Sequence, residues 1–243
     1  MGERKRADLL LVERGLFESR AKAQAAIEAG RVAANGKPIV KPSETIPDDA
    51  VIDAEPAHPW VSRGGVKLAG ALEQYPIDVE DHVCVDVGAS TGGFTEVLLN
   101  YGASLVYAID VGREQLHPSL RGNSKIISME ETDIRSLAGK RLEKRPDIVV
   151  IDVSFISLKH VLPAVLPLAA APMHLLALIK PQFEADRKHS KKGIIRDEAV
   201  HRAVCGDISE FAASLGCTDI KVFPSSITGG DGNTEFFLGA RRG

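Results

Sequence analysis

The sequence predicts an α/β protein in which a mostly parallel, seven-stranded sheet with helices on both faces follows a small α+β module. From about residue 63 onward, β-branched apolar runs alternate with helical patterns, which is typical of a parallel sheet covered by helices. Residues 1–56 instead hold two short amphipathic segments followed by short apolar runs. We therefore expect domains at 1–56 and 63–243, joined by a proline-rich linker at 57–62.

The first module is expected to begin with two helices. Asp8 is in position to cap the first helix, which Gly15 would end, and Ser19 is in position to cap the second. Short β segments then flank an Asn-Gly dipeptide at 35–36, which is a strong signal for a hairpin. A further strand is expected at 51–54.

The second domain is expected to hold seven strands. We predict them at 82–87, 104–110, 124–128, 146–152, 173–180, 218–223 and 234–240. The longest uncharged stretch, Val161–Ile179, is interrupted by three prolines. It is therefore interpreted as a helix end, a turn and a buried strand, and not as a membrane span.

Charge and cysteine content narrow the class of protein. Residues 1–41 carry nine Lys and Arg against five acids, which leaves a net −7 for the remainder of a chain whose net charge is −3. A basic head on an acidic body favours a polyanion as partner. Three cysteines without CxxC spacing indicate neither a disulfide framework nor a zinc site. We expect a cytoplasmic protein without a signal peptide, stable membrane insertion or required metal.

The first strand of the second domain runs into a glycine-rich turn, Asp86-Val-Gly-Ala-Ser-Thr-Gly-Gly-Phe94. Such turns let a backbone approach a nucleotide, but they also close purely structural βα units. Asp110, after the second strand, can accept hydrogen bonds from both hydroxyls of a ribose, and Asp133, after the third, can meet an adenine amino group. S-adenosylmethionine fits these features, whereas NAD, the alternative, is disfavoured because the GxGxxG spacing is absent. The expected cofactor contacts are Asp86, Gly88, Ser90, Gly92, Gly93, Phe94, Asp110 and Asp133.

The head resembles the S4 RNA-binding domain. The resemblance lies in Arg6-x-Asp8-x-x-Leu11, Gly15-Leu16, Ser19-Arg20-x-x-Ala23 and Asn35-Gly36. In that family the second helix and the hairpin present basic side chains to structured RNA. The resemblance thus implies phosphate contacts by Arg4, Lys5, Arg6, Arg20, Lys22, Arg31 and Lys37. For each of them, an ordinary exposed charge is the alternative interpretation.

The body resembles the TlyA family. The segments that carry this resemblance are 86–95, 151–155, 179–183, 192–197 and 232–236. Members are called hemolysins but are understood as ribosomal RNA ribose 2′-O-methyltransferases, with an S4 head and an FtsJ-like, Rossmann-like class I methyltransferase body. The resemblance implies a cytidine ribose in ribosomal RNA or ribosomal subunits as substrate. One departure is His58-Pro-Trp-Val61, where relatives often show Arg-x-Trp-Val.

The same resemblance implies that Lys67, Asp152, Lys180 and Glu235 form the family's catalytic Lys-Asp-Lys-Glu tetrad. We expect Lys180 to act as the base toward a ribose hydroxyl, with burial and the nearby charge of Lys67 favouring its neutral form. Asp152 would orient Lys180, and Glu235 would position the hydroxyl or Lys67. Structural ion pairs are the alternative for each residue taken alone.

A basic loop at 184–197 follows Lys180, and we expect it to close over RNA. The RNA contacts expected outside the head are Arg63, Arg187, Lys188, Lys191 and Lys192. Two other functions stay open from the sequence. One is a non-catalytic RNA-binding or ribosome-assembly factor, and the other is a membrane-active hemolysin.

Overall fold

A computed structural model of the chain describes residues 3–186 and 193–243. The chain folds as two compact units, one ending at Pro59 and the other spanning Trp60–Gly243. The division falls inside the linker expected from the sequence, and the limits of that linker at 57 and 62 stay a prediction.

The first unit is a small α+β fold. Its elements are β1 Arg4–Arg6, α1 Ala7–Glu13, α2 Arg20–Glu28, β2 Val32–Ala34, β3 Lys37–Pro38, β4 Thr45–Pro47 and β5 Ile52–Ala54. The antiparallel sheet β3-β2-β5 and the antiparallel pair β1-β4 complete it. Asn35 and Gly36 both have positive φ, 51° and 74°, which is the backbone of a tight hairpin turn. The hairpin is therefore confirmed. Its second strand, β3, covers two residues, whereas the run that predicted it spans residues 37–40.

The prediction that Asp8 caps the first helix is wrong. Helix α1 begins at Ala7, two residues earlier than a cap at Asp8 requires, with Arg6 at the N-cap and no side-chain cap. Asp8 is fully buried, and its carboxylate accepts hydrogen bonds from Arg6, Arg20 and Gln24. The Arg6 guanidinium, followed by the Gln24 and Arg20 donors, holds the pKa of Asp8 well below its usual range. The prediction for Ser19 is confirmed, because its hydroxyl accepts from the Lys22 N–H.

The second unit is built on a seven-stranded sheet, and all seven predicted strands are present with ends that differ by a few residues. The strands are β6 Val83–Val87, β7 Leu105–Ile109, β8 Ile126–Met129, β9 Ile148–Ile151, β10 Met173–Ile179, β11 Thr218–Pro224 and β12 Phe236–Arg242. Their order is β11-β12-β10-β9-β6-β7-β8. The pairs from β10 to β8 are parallel, and β12 is antiparallel to both of its neighbours.

Helices cover both faces of this sheet. They are α3 Arg63–Gln74, α4 Gly93–Asn100, α5 Leu158–Val165, α6 Pro181–Glu184 and α7 Glu198–Ser214. Leu68, Val97 and Phe237 belong to the core on one face, and Leu162 and Ile208 belong to the core on the other. The α/β architecture predicted from the alternating pattern is thus confirmed. Across residues 3–186 and 193–243, no helix has both the length and the apolar character needed to cross a membrane.

Candidate active site

The four side chains expected to be catalytic lie at one edge of the seven-stranded sheet. Asp152 follows β9 and Lys180 follows β10, and these two strands are parallel. Glu235 precedes β12, whose first residue pairs with Ile179 at the end of β10 because these strands are antiparallel. Lys67 reaches the same edge from α3, where it contacts Glu235.

Lys67 and Glu235 form a buried ion pair. The Lys67 Nζ atom lies 2.6 Å from Glu235 Oε2, and the two residues are only 8% and 3% exposed. Gly229 lies against the same carboxylate, since a Cβ atom there would come within 2.6 Å of Glu235 Oε1. Because a buried charge is stable only when it is paired, each member of this pair fixes the position of the other.

Lys180 and Asp152 form a second ion pair, which is more open. The Lys180 Nζ atom lies 2.6 Å from Asp152 Oδ1, and the side chains are 11% and 19% exposed. This contact lacks the geometry of a hydrogen bond, since Asp152 Oδ1 has no hydrogen-bond partner among residues 3–186 and 193–243. The ammonium instead donates to Ser154 Oγ at 2.9 Å. Lys180 is therefore held by the segment that follows β9.

The glycine-rich turn brings backbone close to Asp152. Gly88 has a φ of 84°, and a Cβ atom there would lie 2.3 Å from the carbonyl oxygen of Asp152, so only glycine fits. The Asp110 carboxylate accepts from the Ser90 N–H at 2.8 Å and from the Gly112 N–H at 2.7 Å. A carboxylate has about four acceptor positions, and Asp110 therefore keeps acceptor capacity for further donors.

Two cavities meet at this turn. One, of about 530 Å³, is lined by Gly88, Ser90, Asp110, Asp133 and Asp152, among others. The other, of about 190 Å³, shares Gly88, Ser90 and Asp152 and is also lined by Arg63, Gly93 and Phe94. Asp152 therefore lies where a cofactor cavity and a smaller cavity beside the start of α3 adjoin.

Two of the expected cofactor contacts do not line these cavities. Gly92 precedes α4 with a φ of 90° and packs on Leu116 and Leu120. Asp86 is fully buried; its Oδ2 accepts from Thr95 Oγ1 at 2.7 Å, and its Oδ1 has no partner. Burial raises the pKa of Asp86 to about 7, despite the Thr95 hydrogen bond and with added repulsion from the Asp152 and Asp110 charges.

Asp133 lines the larger cavity but is already engaged. Its Oδ1 accepts from the Arg135 N–H at 2.9 Å, and its Oδ2 lies 2.6 Å from Arg135 Nη2. The Arg135 guanidinium holds the pKa of Asp133 below its usual range. A contact with an adenine amino group thus requires Asp133 to accept one more hydrogen bond beside Arg135.

Most basic residues expected to contact RNA in the first unit already have partners. Lys5 pairs with Glu13, Arg6 and Arg20 pair with Asp8, Lys22 pairs with Glu18, and Arg31 pairs with Glu55. Arg4 donates to the Thr45 carbonyl, and Lys37 is exposed on β3. Of these partners, Asp8 is buried and the others are exposed. In the second unit, Arg63 donates to the Thr228 carbonyl at 2.6 Å. Arg187, Lys188, Lys191 and Lys192 lie outside the described residues.

Three residues near the site were given no role by sequence reasoning, although Ser154 and Phe155 fall in the segment 151–155 that carries the family resemblance. Phe155 is 90% exposed, has a φ of 64° and lines the larger cavity, with its ring 4.9 Å from that of Phe183. Ser154 holds Lys180 as described above. Glu130 accepts hydrogen bonds from three backbone N–H groups of residues 114–116, beside the larger cavity.

The cavities suit S-adenosylmethionine. Asp110 and the glycine-rich turn are placed to hold a nucleoside, since Asp110 keeps acceptor positions for ribose hydroxyls. Asp86, Asp110 and Asp152 are close enough for their charges to interact, and one oxygen of Asp86 lacks a partner. This crowding of carboxylates favours a ligand with positive charge, and the sulfonium and ammonium groups of S-adenosylmethionine supply it. Within the described part of the chain, no group of three or more His, Cys, Asp or Glu is arranged to hold a metal ion.

The fold and this site define an S-adenosylmethionine-dependent methyltransferase. A solved structure of such an enzyme from Mesorhizobium loti shares the fold at 13% identity, with a TM-score of 0.52 over 71% of this chain and 96% of that one. The FtsJ-like methyltransferase family matches residues 60–242, and the S4 domain family matches residues 5–52.

Two relatives that match nearly the whole chain identify the family within this class of methyltransferases. The 16S/23S rRNA (cytidine-2′-O)-methyltransferase TlyA of Mycobacterium tuberculosis is 42% identical over 99% of this chain and 91% of its own length. A solved structure from Streptococcus thermophilus, provisionally described as a hemolysin, is 39% identical, with a TM-score of 0.76 over 100% of this chain and 90% of that one. The chain belongs to the TlyA family of FtsJ-like methyltransferases with an N-terminal S4 domain.

Proposed function

We propose that this protein transfers a methyl group from S-adenosylmethionine to the 2′-hydroxyl of a ribose in ribosomal RNA, most simply a cytidine as in the M. tuberculosis relative. The observation that carries the proposal is the position of Asp152, which lines both cavities and contacts Lys180. Lys180 is not among the residues that line either cavity, but a hydroxyl in the smaller cavity would lie beside Asp152, next to the cofactor cavity and one ion-pair contact away from the Lys180 amine.

In this proposal the Lys180 amine would take the proton from the ribose O2′ as the oxygen bonds to the methyl carbon, and the carbon–sulfur bond of the cofactor would break with its electron pair leaving on sulfur. The cofactor supplies a methyl group already activated on a sulfonium, so the residues need to provide alignment and one proton acceptor. Asp152 and Ser154 aim the Lys180 Nζ atom. An amine accepts a proton only through a free lone pair, so Lys180 must release its ammonium proton to solvent before it can take the proton of O2′.

In this scheme the ion pair of Lys67 with Glu235 has a positioning role and does not transfer a proton. Their pair is nearly closed to solvent, and the Glu235 carboxylate sits one residue before the strand that pairs with the end of β10. We assign it the role of positioning Lys67 and, through it, the ribose. The exposed ring of Phe155 offers the target base a surface on which to stack. The S4 unit would hold structured RNA through its exposed basic side chains.

The test is transfer of labelled methyl from S-adenosylmethionine to separated ribosomal subunits and to naked ribosomal RNA. The wild-type protein should label one nucleotide in a linkage that resists alkaline cleavage. Lys180→Ala should lower the rate by about 10²–10⁴-fold, the typical contribution of a general base, while calorimetry still shows cofactor binding. Lys159→Ala is the matched control, because Lys159 also holds a 2.6 Å ion pair, with Asp207, but on α5.

Each other outcome points to a different function. Normal turnover by Lys180→Ala would rule out this mechanism. Cofactor binding without transfer to any subunit, or no cofactor binding at all, would favour the RNA-binding or ribosome-assembly alternative. Leakage of liposomes caused by the pure protein would favour a membrane-active hemolysin.

A further inference from the structure

A third cavity, of about 640 Å³, opens at the same edge of the sheet but on the face that α7 covers. Its walls come from the first turns of α7, from the end of β11 and from the segment leading into β12. It shares no lining residue with either cavity of the candidate active site.

The strand that carries Glu235 connects this cavity to the active site. Thr234 and Phe236 line the cavity, whereas Glu235 between them contacts Lys67 on the other face. This is the alternation expected of extended chain, in which successive side chains point to opposite faces. The cavity therefore begins one residue away from the proposed tetrad.

Buried polar groups hold the wall of this cavity in place. Asn233 is 1% exposed; its Oδ1 accepts from the Ile195 N–H at 3.0 Å, and its Nδ2 donates to the Gly193 carbonyl at 3.0 Å. The His201 Nε2 lies 3.2 Å from the Ile195 carbonyl oxygen, and its ring packs edge-on against Phe236. These contacts, all between described residues, join the segment before α7 to the segment before β12.

The lining combines apolar surface with two cations and one carboxylate, that of Glu198. Phe236 and Val222 contribute apolar surface, and Arg196 and Arg202 contribute guanidinium groups that are exposed. Among the described residues, the ion-pair partner of Arg202 is the exposed Glu198 at 3.6 Å, which is a weak pairing at the surface. Apolar surface for a base beside arginines for a phosphate is the chemistry that recognises an unpaired nucleotide.

We propose that this cavity binds a nucleotide that neighbours the methylated ribose in the same RNA strand, and so helps to select the target. This inference rests on the proposed function, because continuity with the Glu235 edge is what identifies RNA as the occupant. A neighbouring nucleotide is also a common determinant of sequence context in enzymes that act on exposed nucleotides.

The first test removes the two cations. The variant Arg196→Gln/Arg202→Gln is compared with Arg141→Gln/Arg241→Gln, which removes the same charge from exposed arginines elsewhere; Arg241 pairs with the start of β10, at the opposite edge. The substrate is the ribosomal subunit that accepts label from the wild-type protein. We expect the cavity variant to raise the KM for this subunit about tenfold, with kcat and the cofactor Kd unchanged. Its affinity should also lose salt dependence, by about 0.7 in the log–log slope for each phosphate contact removed.

The second test fills the cavity without changing its charge. Cys205 lies on α7, lines the cavity and is partly buried, so Cys205→Phe should occupy the space and raise the KM for RNA to a similar extent. A thermal melt shows whether this variant is folded, and the arginine pair, being exposed, tests the proposal even if it is not.

The outcomes separate this inference from the function on which it rests. If the wild-type protein methylates a subunit but both cavity variants behave like the control, the nucleotide site is refuted and the methyltransferase proposal stands. If the wild-type protein methylates no ribosomal RNA, both fall together. A raised KM in the cavity variants alone supports the site.

Discussion

At the residue scale, burial of the Asp86 side chain disfavours the ionised form of its carboxylate. Its carboxylate is closed to solvent, receives one hydrogen bond from Thr95 and leaves one oxygen without a partner. Burial, and the neighbouring charges of Asp152 and Asp110, raise its pKa to about 7 against a usual 3.8. Because each pKa unit corresponds to about 1.4 kcal/mol, the ionised form costs several kcal/mol in the absence of a cationic ligand.

Because burial raises the pKa of Asp86, the variant Asp86→Asn should gain stability relative to wild type as the pH rises. Between pH 3.8 and about 7 the folded protein keeps a proton that the unfolded chain releases, so the free energy of unfolding falls as the pH rises through this window. The asparagine variant lacks this penalty. Its melting temperature relative to wild type should therefore be several degrees higher at pH 8 than at pH 5.

The control for this measurement is Asp219→Asn, which changes a carboxylate whose side chain is 68% exposed. Its difference from wild type should be the same at both pH values. If the difference in melting temperature between Asp86→Asn and wild type is the same at pH 5 and pH 8, burial does not raise the free energy of the ionised carboxylate.

Sequence reasoning at this scale succeeded where a residue's role depends on its neighbours in the chain. Ser19 caps α2 because the cap needs only an N–H three residues away. Asp8 had the same local signal, but its carboxylate is taken by Arg20 and Gln24, which are brought near by the packing of α1 on α2. The ion pairs of Lys67 with Glu235 and of Lys180 with Asp152 join distant segments, so only the resemblance to the TlyA family indicated them before the fold was known.

At the scale of elements, the segment after β7 forms one side of the larger cavity, and the Glu130 carboxylate fixes residues 114–116 of this segment. Glu130 follows β8 and accepts the N–H groups of residues 114, 115 and 116. The hydrogen bond from Leu116, with those from the two preceding residues, holds the pKa of Glu130 below its usual range. Leu116 then packs against Gly92 of the glycine-rich turn. Glu130 therefore positions the cofactor cavity without lining it.

Glu130→Gln should weaken S-adenosylmethionine binding about tenfold, since a neutral amide has one acceptor oxygen in place of two and leaves the backbone donors of residues 114–116 poorly satisfied. Isothermal titration calorimetry at pH 7 measures this. The carboxylate's contribution is present above pH 4.5 and is lost as the pH falls through its lowered pKa. Glu131→Gln is the matched control, because no backbone N–H of the described residues donates to the Glu131 carboxylate. Equal affinity in the two variants would show that the segment holds its shape without Glu130.

The pattern of the sequence also explains which elements were predicted. Central strands of the large sheet, such as β9 and β10, are buried apolar runs, so their composition marks them. The strands β1 and β4 were missed because each is three residues long and partly exposed, and they pair only with each other. The role of Glu130 had no local signal, since its partners are backbone groups 14–16 residues away in the chain.

At the scale of the whole molecule, the two units have separate cores. The buried apolar residues of the first unit, such as Leu11 and Ile27, form a cluster of their own, and the two clusters of the second unit draw on residues from Leu68 onward. Every residue of the proposed tetrad and of the three cavities lies in the second unit. Binding of cofactor and binding of structured RNA are therefore expected to be separable.

A fragment of residues 60–243 tests this separation. It should bind S-adenosylmethionine with a Kd within about twofold of the full chain, because the cofactor cavity is complete in it. It should methylate ribosomal subunits with a KM at least about tenfold higher, because the S4 unit no longer raises the effective concentration of RNA at the active site. Intact cofactor binding serves as the control for folding. If the fragment methylates subunits with an unchanged KM, the second unit, with its cavity beside α7, would hold the RNA by itself, and the basic head would need another role.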